Sequence, residues 1–399
     1  MSEVVMARIE SVDIFYLAMP EILDIGDGSQ DLTLVRVQAG EHVGWGECEA
    51  SPLPTIAALV TPMSHSACKP VRDSVLGQPL DNIEDIHRIT RLVRENSLDL
   101  LQSDHTLSGI DIALWDTLGK SLSAPVWQLL GVSAPEPRLP YASQLFGDTP
   151  DETFAKCRAS HSAGYRAVKV GWGPYGRGSV EADADQVAAA RAGLGPDGIL
   201  LVDAGTVWGD DVSAAVARLP SLQAADVTWL EEPFVAGALD SYRDLGRQSG
   251  SVRLAGGEGC HDPYAARTMI DHAGLGFIQV DAGRIGGITS ARRVAEYAAT
   301  RGVPYVNHTF TSHLALSASL QPFADSEVGS VCEYPVEPKS LATAITRDHI
   351  LPGTDGMIRL SERPGLGIDV NVVAARAYLV DTEITAGGRV LYRTPDLVD

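Results

Sequence analysis

The stretch RAVKVGWG, residues 166–173, joins a short apolar run to a turn that contains two glycines. The apolar residues are typical of a buried strand, and Gly171 and Gly173 indicate the turn that ends it. Lys169 therefore stands at the end of a predicted strand. The next position on the same side of that strand is Gly171.

The same pattern recurs along the chain, where short apolar runs end in polar residues and helix-like stretches rich in Ala, Arg and Glu separate them. The runs are RLPYAS (138–143), RAVKV (166–170), GILLVDAG (198–205), DVTWLEE (226–232), VRLAGGE (252–258), GFIQVDAG (276–283), VPYVNH (303–308) and GSVCEY (329–334). Eight such units with buried parallel strands predict an α/β fold that closes into a (β/α)8 barrel. An open doubly wound sheet is the alternative, which the lack of a GxGxxG motif after the first strand disfavours.

The residues before the first run predict an α+β capping domain over residues 1–135. LTLVRVQAG (32–40) and VGWGECE (43–49) indicate two strands joined by a tight turn, and DHTLSGIDIALWDTLGKSL (104–122) indicates a helix. The proline-rich stretch SAPEPRLP (133–140) marks a boundary, so we assign the barrel to residues 136–350. Residues 351–399 are expected to return to the capping domain and complete it.

The charge balance limits the partners of the chain. Its 399 residues include 52 Asp and Glu against 31 Lys and Arg, a formal charge of −21 that disfavours nucleic acid and anionic membranes. Five scattered cysteines without a CxxC motif predict a reduced, cytoplasmic protein. The N-terminal stretch lacks the basic segment of a signal peptide, and no apolar run approaches the roughly 20 residues of a membrane span.

One polar side chain ends each of the last seven predicted strands. These residues are Lys169, Asp203, Glu231, Glu258, Asp281, His308 and Glu333. In a parallel barrel the carboxyl ends of all strands face one opening, where catalytic residues gather. The regular spacing therefore predicts one shared site.

Asp203, Glu231 and Glu258 end three consecutive strands and would repel one another in a poorly hydrated opening. A hard divalent cation relieves that repulsion, and ligation by oxygen atoms alone suits Mg²⁺. The alternative is that these carboxylates pair with nearby cations, for which the candidates are Arg284, Arg253 and Lys169. We choose Glu231 over Glu232 as the ligand because neighbouring residues on a strand point to opposite sides.

Asp281 and His308 end the next two strands. A carboxylate beside an imidazole fixes its tautomer and raises its basicity, which predicts a general base that works near neutral pH. His261 and His313 also lie close to strand ends in the sequence. We expect them to be structural or to make secondary substrate contacts.

Several ordered motifs resemble the enolase superfamily, in its mandelate racemase-like subgroup, over nearly the whole chain. They are SGIDIALWDTLGK in the capping domain, VDAGTVW, WLEEPF, GGEG, QVDAGRIGGIT and NHT in the barrel, and CEYP at the last strand. The resemblance implies Mg²⁺-assisted removal of the proton next to a substrate carboxylate, with Asp203, Glu231 and Glu258 as metal ligands. It also implies that Asp281 and His308 form the His–Asp dyad. Glu333 would donate a hydrogen bond to the enediolate, and Ser143 would contact substrate.

The chain departs from the family's K-x-K motif at the second predicted strand. Lys169 matches the first lysine, which stabilises the enediolate, but Gly171 replaces the second lysine, the usual base on the opposite face. His308 is then the remaining base of the pair, which disfavours racemisation. Trp172, Tyr175 and Tyr141 are candidates for the vacated face, and we count Ser143, Tyr141 and Trp172 as substrate-binding residues. A Gly171→Lys change would restore a base there but is expected to clash with Trp172.

A single base suits β-elimination, so the predicted activity is dehydration of a sugar acid to a 2-keto-3-deoxy acid, with the acidic loop PEILDIGDGSQD (20–31) closing over the site. The alternative is a one-base cycloisomerase acting on a sugar-acid lactone or an anhydro sugar acid. Two further alternatives are a racemase or epimerase, which the missing second lysine disfavours, and a non-catalytic scaffold. A scaffold would have no reason to bind Mg²⁺ and is the alternative that the motifs disfavour most. The resemblance also favours a homo-oligomer.

Overall fold

The computed structural model describes residues 7–326 and 331–398. The first two residues of the GSVCEY run and residues 1–6 lie outside the described residues. The amino-terminal part is a three-stranded antiparallel sheet followed by four helices. These elements are β1 (Ile9–Ala18), β2 (Asp31–Ala39), β3 (His42–Glu49), α1 (Pro52–Val60), α2 (Ile83–Asn96), α3 (Ser103–Ser121) and α4 (Val126–Leu129).

Helix α3 is buried on every side along nearly its whole length, so the one-sided apolar face visible in its sequence understates its burial. It lies directly on β3, where a Cβ atom at Gly46 would stand 2.0 Å from the carbonyl oxygen of Gly109. Glycine is required there because the strand and helix backbones approach too closely for a side chain. This contact fixes β3 against α3 within the capping domain.

The following eight strands are parallel and form one sheet, which confirms the predicted barrel with its capping domain. The strands are β4 (Leu139–Leu145), β5 (Ala167–Gly171), β6 (Ile199–Asp203), β7 (Val227–Glu231), β8 (Arg253–Gly256), β9 (Phe277–Asp281), β10 (Tyr305–His308) and β11 (Val331–Pro335). The helices are α5 (Pro150–Ser162), α6 (Val180–Leu194), α7 (Val212–Val216), α8 (Leu219–Ala224), α9 (Leu239–Gly246), α10 (Pro263–His272), α11 (Gly287–Thr300), α12 (His313–Leu320) and α13 (Ser340–Ala344). Short 3-10 helices occur at Gly28–Gln30, Val71–Ser74, Gln321–Phe323 and Arg376–Tyr378.

The seam of the barrel lies between β10 and β11, where a side chain replaces the ladder of backbone hydrogen bonds. The Asn307 amide oxygen accepts a hydrogen bond from the Glu333 backbone N–H at 2.9 Å, and its nitrogen donates to the Glu333 carbonyl at 3.5 Å. The same nitrogen donates to Ser319 Oγ at 3.0 Å. Asn307 therefore closes the barrel at the strand that carries Glu333.

Replacing Asn307 by Leu is expected to lower the free energy of unfolding by about 3 kcal/mol, because two buried backbone groups of Glu333 lose their partner. Chemical denaturation monitored by circular dichroism measures this loss. Ser319→Ala, which removes only one bond of the same amide, is the matched control and should cost about 1 kcal/mol. Equal stability of the Asn307→Leu variant and the wild type would show that the seam does not depend on this side chain.

The C-terminal segment contains α14 (Val372–Ala375) and the hairpin of β12 (Glu383–Ala386) and β13 (Arg389–Arg393). It lies against the capping domain, where Tyr392 Oη donates to the Ile14 carbonyl and Arg36 Nη1 donates to the Val398 carbonyl at 2.8 Å. The boundaries at residues 1–135, 136–350 and 351–399 stay a prediction. Within the described ranges, none of the helices has the length and apolarity needed to cross a bilayer.

Candidate active site

A cavity of about 250 Å³ lies at the carboxyl ends of the barrel strands, beneath the capping domain. The barrel contributes Ser143, Lys169, Asp203, Glu258 and His308 to its lining. The capping domain contributes residues 25–28 of the acidic loop and Glu49 at the end of β3. Four of the seven predicted strand-end residues therefore line one space together with Ser143 and the predicted loop, and the other three contact those four: Glu231 and Glu333 at Lys169, and Asp281 at His308.

Lys169 is the positive centre of this site. Its Nζ lies 2.5 Å from Glu231 Oε1, 2.8 Å from Glu333 Oε1 and 3.6 Å from Asp203 Oδ2, so it is enclosed by carboxylates. Burial alone would lower the pKa of Lys169, but these carboxylates outweigh burial and raise it well above its ordinary value. The strand of the RAVKVGWG stretch thus holds a permanently charged ammonium group at the barrel opening.

The three predicted metal ligands are buried or nearly so and carry an excess of negative charge. Asp203 Oδ1 accepts from the Gly205 N–H at 2.8 Å, and Glu231 Oε2 accepts from Trp229 Nε1 at 3.0 Å. Burial raises the pKa of Asp203 to about 6 and that of Glu231 to about 8, opposed by Lys169 and reinforced by neighbouring carboxylates. Raised pKa values of this kind show that the two carboxylates lack enough positive charge nearby to balance their own.

This donor set fits a hard divalent cation. Seven carboxylates of the site face two permanent cations, Lys169 and Arg284, and one imidazole; the carboxylates are Glu49, Asp203, Glu231, Glu232, Glu258, Asp281 and Glu333. The tightest group of ligand-type atoms among the described residues is a different one, since donor atoms of Glu49, Asp281 and His308 all lie within 4.8 Å of one another. We favour the triad as the cation site, because Asp281 and the imidazole of His308 already satisfy each other.

Glu232 does not behave as strand alternation predicts. Strand β7 ends at Glu231, and the Glu232 backbone has a φ of 38°, so strand alternation does not set the direction of the Glu232 side chain. Its carboxylate is buried and accepts from the Gly259 N–H at 3.4 Å. Burial raises the pKa of Glu232 well above its ordinary value, and the charges of Glu258 and Asp203 add to this effect. Glu232 thus lies close enough to Glu258 and Asp203 to interact with their charges, and the choice of Glu231 as the ligand stays a prediction.

His308 and Asp281 form the predicted pair at the ends of β10 and β9. Nδ1 of His308 donates to Asp281 Oδ2 at 2.7 Å, and Asp281 Oδ1 accepts from the Gly283 N–H at 2.6 Å. Burial opposes the charges of both groups, but their mutual interaction outweighs it for Asp281 and lowers its pKa to about 2. The pKa of His308 is raised well above its ordinary value against the effect of burial, chiefly by Glu258, whose Oε2 lies 3.1 Å from Nε2.

Glu333 on β11 and Ser143 on the neighbouring strand β4 are joined by a hydrogen bond between their side chains. Ser143 Oγ donates to Glu333 Oε1 at 2.9 Å, and the Thr309 N–H donates to Glu333 Oε2 at 2.8 Å. Ser143 lines the cavity, which agrees with the position expected of a substrate contact. These bonds and Lys169 hold the Glu333 carboxyl group at the barrel opening.

The face vacated by the second lysine is closed by Trp172. Its ring packs against Gly26 of the capping loop and Gly205 of the barrel, since a Cβ atom at either glycine would stand within 2.8 Å of the indole. Trp172 lines the cavity, whereas Tyr175 is buried in a stack with Phe146. Tyr141 is fully buried as well, with its ring centroid 5.7 Å from Lys169 Nζ. It does not line the cavity, so the structure does not support it as a substrate contact.

Gly171 leaves no room for any side chain. A Cβ atom there would stand 2.7 Å from Asp203 Cβ, so Asp203 obstructs any side chain at this position, and the expected clash of a lysine with Trp172 stays a prediction. Gly171→Ala is expected to destabilise the protein by about 1–3 kcal/mol and to weaken Mg²⁺ binding, because Asp203 must move. Thermal unfolding with and without Mg²⁺ measures both effects. Gly237→Ala, at a glycine with open space around its Cβ position, is the control.

Two charged residues of the site, Arg284 and Glu49, were not predicted from the sequence to take part in catalysis or binding. Arg284, considered only as an ion-pair partner, contacts Glu49 Oε1 and lies 3.4 Å from Glu258 Oε1, whereas Arg253 instead covers the ring of Phe277. Glu49 was overlooked, although the alternation in VGWGECE places Glu47 and Glu49 on one side of the strand. Lys169 and Arg284 thus provide part of the ion pairing that was considered as an alternative to a metal.

Neither additional histidine enters the cavity lining. His313 accepts from the Ile350 N–H at 3.2 Å and stacks on His349, which gives it a structural role. His261 is exposed in the segment after β8.

Comparison with known protein families establishes the family to which the chain belongs. Residues 152–374 match the family described as enolase C-terminal domain-like, and residues 22–131 match the N-terminal domain of the mandelate racemase and muconate lactonizing enzyme family. The chain belongs to the enolase superfamily. It is therefore an enzyme, and the resemblance to the mandelate racemase-like subgroup is confirmed.

Relatives within this superfamily include enzymes of two reaction types. The D-galactarolactone cycloisomerase of Agrobacterium fabrum is 29% identical, over 85% of this chain and 88% of its own length. The D-galactonate dehydratase of Klebsiella pneumoniae is 28% identical, over 82% of this chain and 86% of its own length. A crystal structure described as a predicted mandelate racemase from Rhodobacter sphaeroides is 60% identical over 98% of this chain and all of that one, with a TM-score of 0.93.

Proposed function

We propose that this superfamily member removes the α-proton of a sugar acid with His308 and then eliminates an oxygen leaving group from the β-carbon, with a Mg²⁺ ion held by Asp203, Glu231 and Glu258. The observation that carries the proposal is the 2.7 Å contact between His308 and Asp281 beside the buried carboxylates and Lys169. The His308 imidazole, the Lys169 ammonium group and two of the three proposed ligand carboxylates, Asp203 and Glu258, line one cavity. That combination suits proton removal next to a carboxylate.

The α-proton of a carboxylate is very weakly acidic, because its loss places negative charge on both carboxylate oxygens. When bound, Mg²⁺ would supply charge that stabilises those oxygens. Lys169 adds a fixed ammonium charge at the same opening, where it also holds the Glu333 carboxyl group. Asp281 keeps Nδ1 of His308 protonated, whereas Glu258, 3.1 Å from Nε2, raises the pKa of the imidazole. Glu258 acting as a Mg²⁺ ligand would have that charge neutralised, which lowers the pKa of His308 so that Nε2 can accept the substrate proton.

The wall around Gly171 favours elimination over racemisation. Racemisation needs a proton-transfer group on each face of the substrate. Trp172 and Leu145, which line the cavity next to Gly171, offer none, and the third lining neighbour, Asp203, is a proposed Mg²⁺ ligand. His308 can instead perform both steps of an elimination on one face, by accepting the α-proton and then protonating the departing hydroxyl. Dehydration in this way gives an enol that tautomerises to a 2-keto-3-deoxy acid. The dehydratase relative supports this reaction.

Ring opening is the second candidate, favoured by the cycloisomerase relative. The first step is the same, but the leaving oxygen belongs to a lactone or anhydro ring and stays in the product. Trp172, Leu145 and Ile25 give the cavity apolar surface on which the face of such a ring can pack. The two candidates therefore differ in the leaving group and share His308, Lys169 and the metal ligands.

A panel of sugar acids and their lactones, including D-galactonate and D-galactarolactone, incubated with Mg²⁺ in D₂O and followed by NMR, tests the proposal. A 2-keto-3-deoxy acid formed with loss of water from a linear acid supports dehydration. A keto acid formed from a lactone without loss of water supports ring opening. Net racemisation of an α-hydroxy acid, without elimination, would contradict both.

A further inference from the structure

Glu49 connects the capping domain to His308, the proposed base at the opening of the barrel. It ends β3, yet its nearest charged neighbours all belong to barrel strands or the segments that follow them. Oε1 accepts from Arg284 Nη2, and Oε2 lies 3.8 Å from Nδ1 of His308. Gly28 of the capping loop lies so close that a Cβ atom there would stand 2.6 Å from Oε1.

The second carboxyl oxygen of Glu49 is buried without a hydrogen-bond partner among the described residues. A charged oxygen in that situation would be costly, because burial removes its water and no donor replaces it. The donor atoms of Glu49, Asp281 and His308 all lie within 4.8 Å of one another. A protonated Glu49 resolves the conflict, since its O–H can donate toward Asp281, which is ionised.

We propose that Glu49 is a positioning residue for the His308 base: its carboxyl group carries a proton directed at Asp281 and keeps that carboxylate on Nδ1 of His308. This inference rests on His308 being the base. The base is then assembled from both domains and is complete only when β3 is docked on the barrel. The charged or titratable groups that face Glu49 are Arg284, Asp281, His308, Glu258 and, through its backbone carbonyl, His105.

The pKa directions agree with this geometry. Burial raises the pKa of Glu49 to about 7, although Arg284 and His308 oppose it, whereas Asp281 is held near 2. Two neighbouring carboxyl groups with such different pKa values share one proton, and Glu49 holds it. Loss of that proton as the pH rises through about 7 would place a second negative charge near Nδ1.

The test uses the whole protein, labelled with ¹⁵N-histidine, with Mg²⁺ present and no substrate. The His308 Nδ1–H resonance, assigned by its disappearance in His308→Asn, is followed from about pH 5 to 9. In the wild type its shift should change with a midpoint near 7, as the Glu49 pKa requires. Glu49→Gln, whose amide can donate to Asp281, should keep the resonance and remove that midpoint. Glu49→Ala should broaden or lose the resonance.

Turnover of the substrate found in the panel gives the second readout. Glu49→Ala should lower kcat by about 10- to 100-fold with little change in KM, and Glu49→Gln should recover most of this loss. Glu47→Gln is the matched control, because Glu47 lies on the same side of β3 and bonds to Ser312 of the barrel. The Gln oxygen can still accept from the Ser312 N–H, so this variant should keep β3 docked and leave the pH dependence of the His308 resonance unchanged.

A Glu49→Ala variant with an unchanged His308 resonance and unchanged kcat would overturn the inference, as would a defect confined to KM. Such a result would leave the proposed function intact. The proposed function would itself fail if His308→Asn kept full α-proton exchange. The two failures are therefore distinguishable.

Discussion

Replacing His308 by Asn is expected to stop exchange of the substrate α-proton with D₂O and to lower kcat by about 1,000-fold or more. The amide keeps the size of the imidazole and can still donate to Asp281, but it cannot accept a proton from carbon. Gly171 and Trp172 leave no substitute base on the opposite face. NMR integration of the α-proton signal over time measures the exchange.

The control for this variant is binding. Mg²⁺ affinity and the substrate dissociation constant should stay close to those of the wild type, because Lys169 and the three metal ligands are unchanged. Exchange at the wild-type rate in His308→Asn would show that another residue is the base. Loss of exchange together with loss of Mg²⁺ binding would instead indicate a disturbed site, and His308→Gln would then be needed to separate the two effects.

Replacing Asp203 by Asn is expected to abolish turnover and also to change stability in opposite directions with and without the metal. In the wild type, Mg²⁺ at about 100 times its dissociation constant should add about 2.7 kcal/mol to the free energy of unfolding. Asn at position 203 should remove that increment, because one of three anionic ligands is lost. In EDTA the variant should be at least as stable as the wild type, since burial raises the pKa of Asp203 to about 6 and the charge is costly there.

Differential scanning fluorimetry with Mg²⁺ or EDTA measures both directions. Asp211→Asn, in the exposed cap of α7, is a control that changes one charge outside the cavity and should keep the Mg²⁺ response. A full Mg²⁺ response in Asp203→Asn would contradict the assignment of this residue as a ligand. Glu258→Gln should behave like Asp203→Asn with respect to Mg²⁺.

The repeating part of the fold could be read from the sequence because each barrel unit repeats the same physical pattern. Strands buried on both faces give apolar runs, and the polar residue that ends each run must face the common opening. Lys169, Asp203 and His308 were found in this way, without knowledge of their contacts. The depth of inward side chains was harder to judge: Tyr141 precedes Ser143 by two residues on β4, so it points inward about 7 Å lower in the barrel.

The contribution of the capping domain could not be predicted from the pattern of a single segment. Glu49 and Arg284 meet only because β3 docks against the end of β9, and no periodicity encodes a contact between residues 235 positions apart. The strand alternation assumed for Glu232 does not hold for a related reason. The strand ends one residue earlier, and its positive φ breaks the alternation on which the argument depended.

The measurement that tests the central claim most directly is the distribution of deuterium when the identified substrate reacts in D₂O with Mg²⁺. With His308 as the base of one face and Trp172 closing the other, residual substrate should gain α-deuterium with its configuration retained. The keto acid product should carry deuterium at the carbon next to the carbonyl. Accumulation of the α-epimer of the substrate at a rate comparable to product formation would require a second base and would contradict the account.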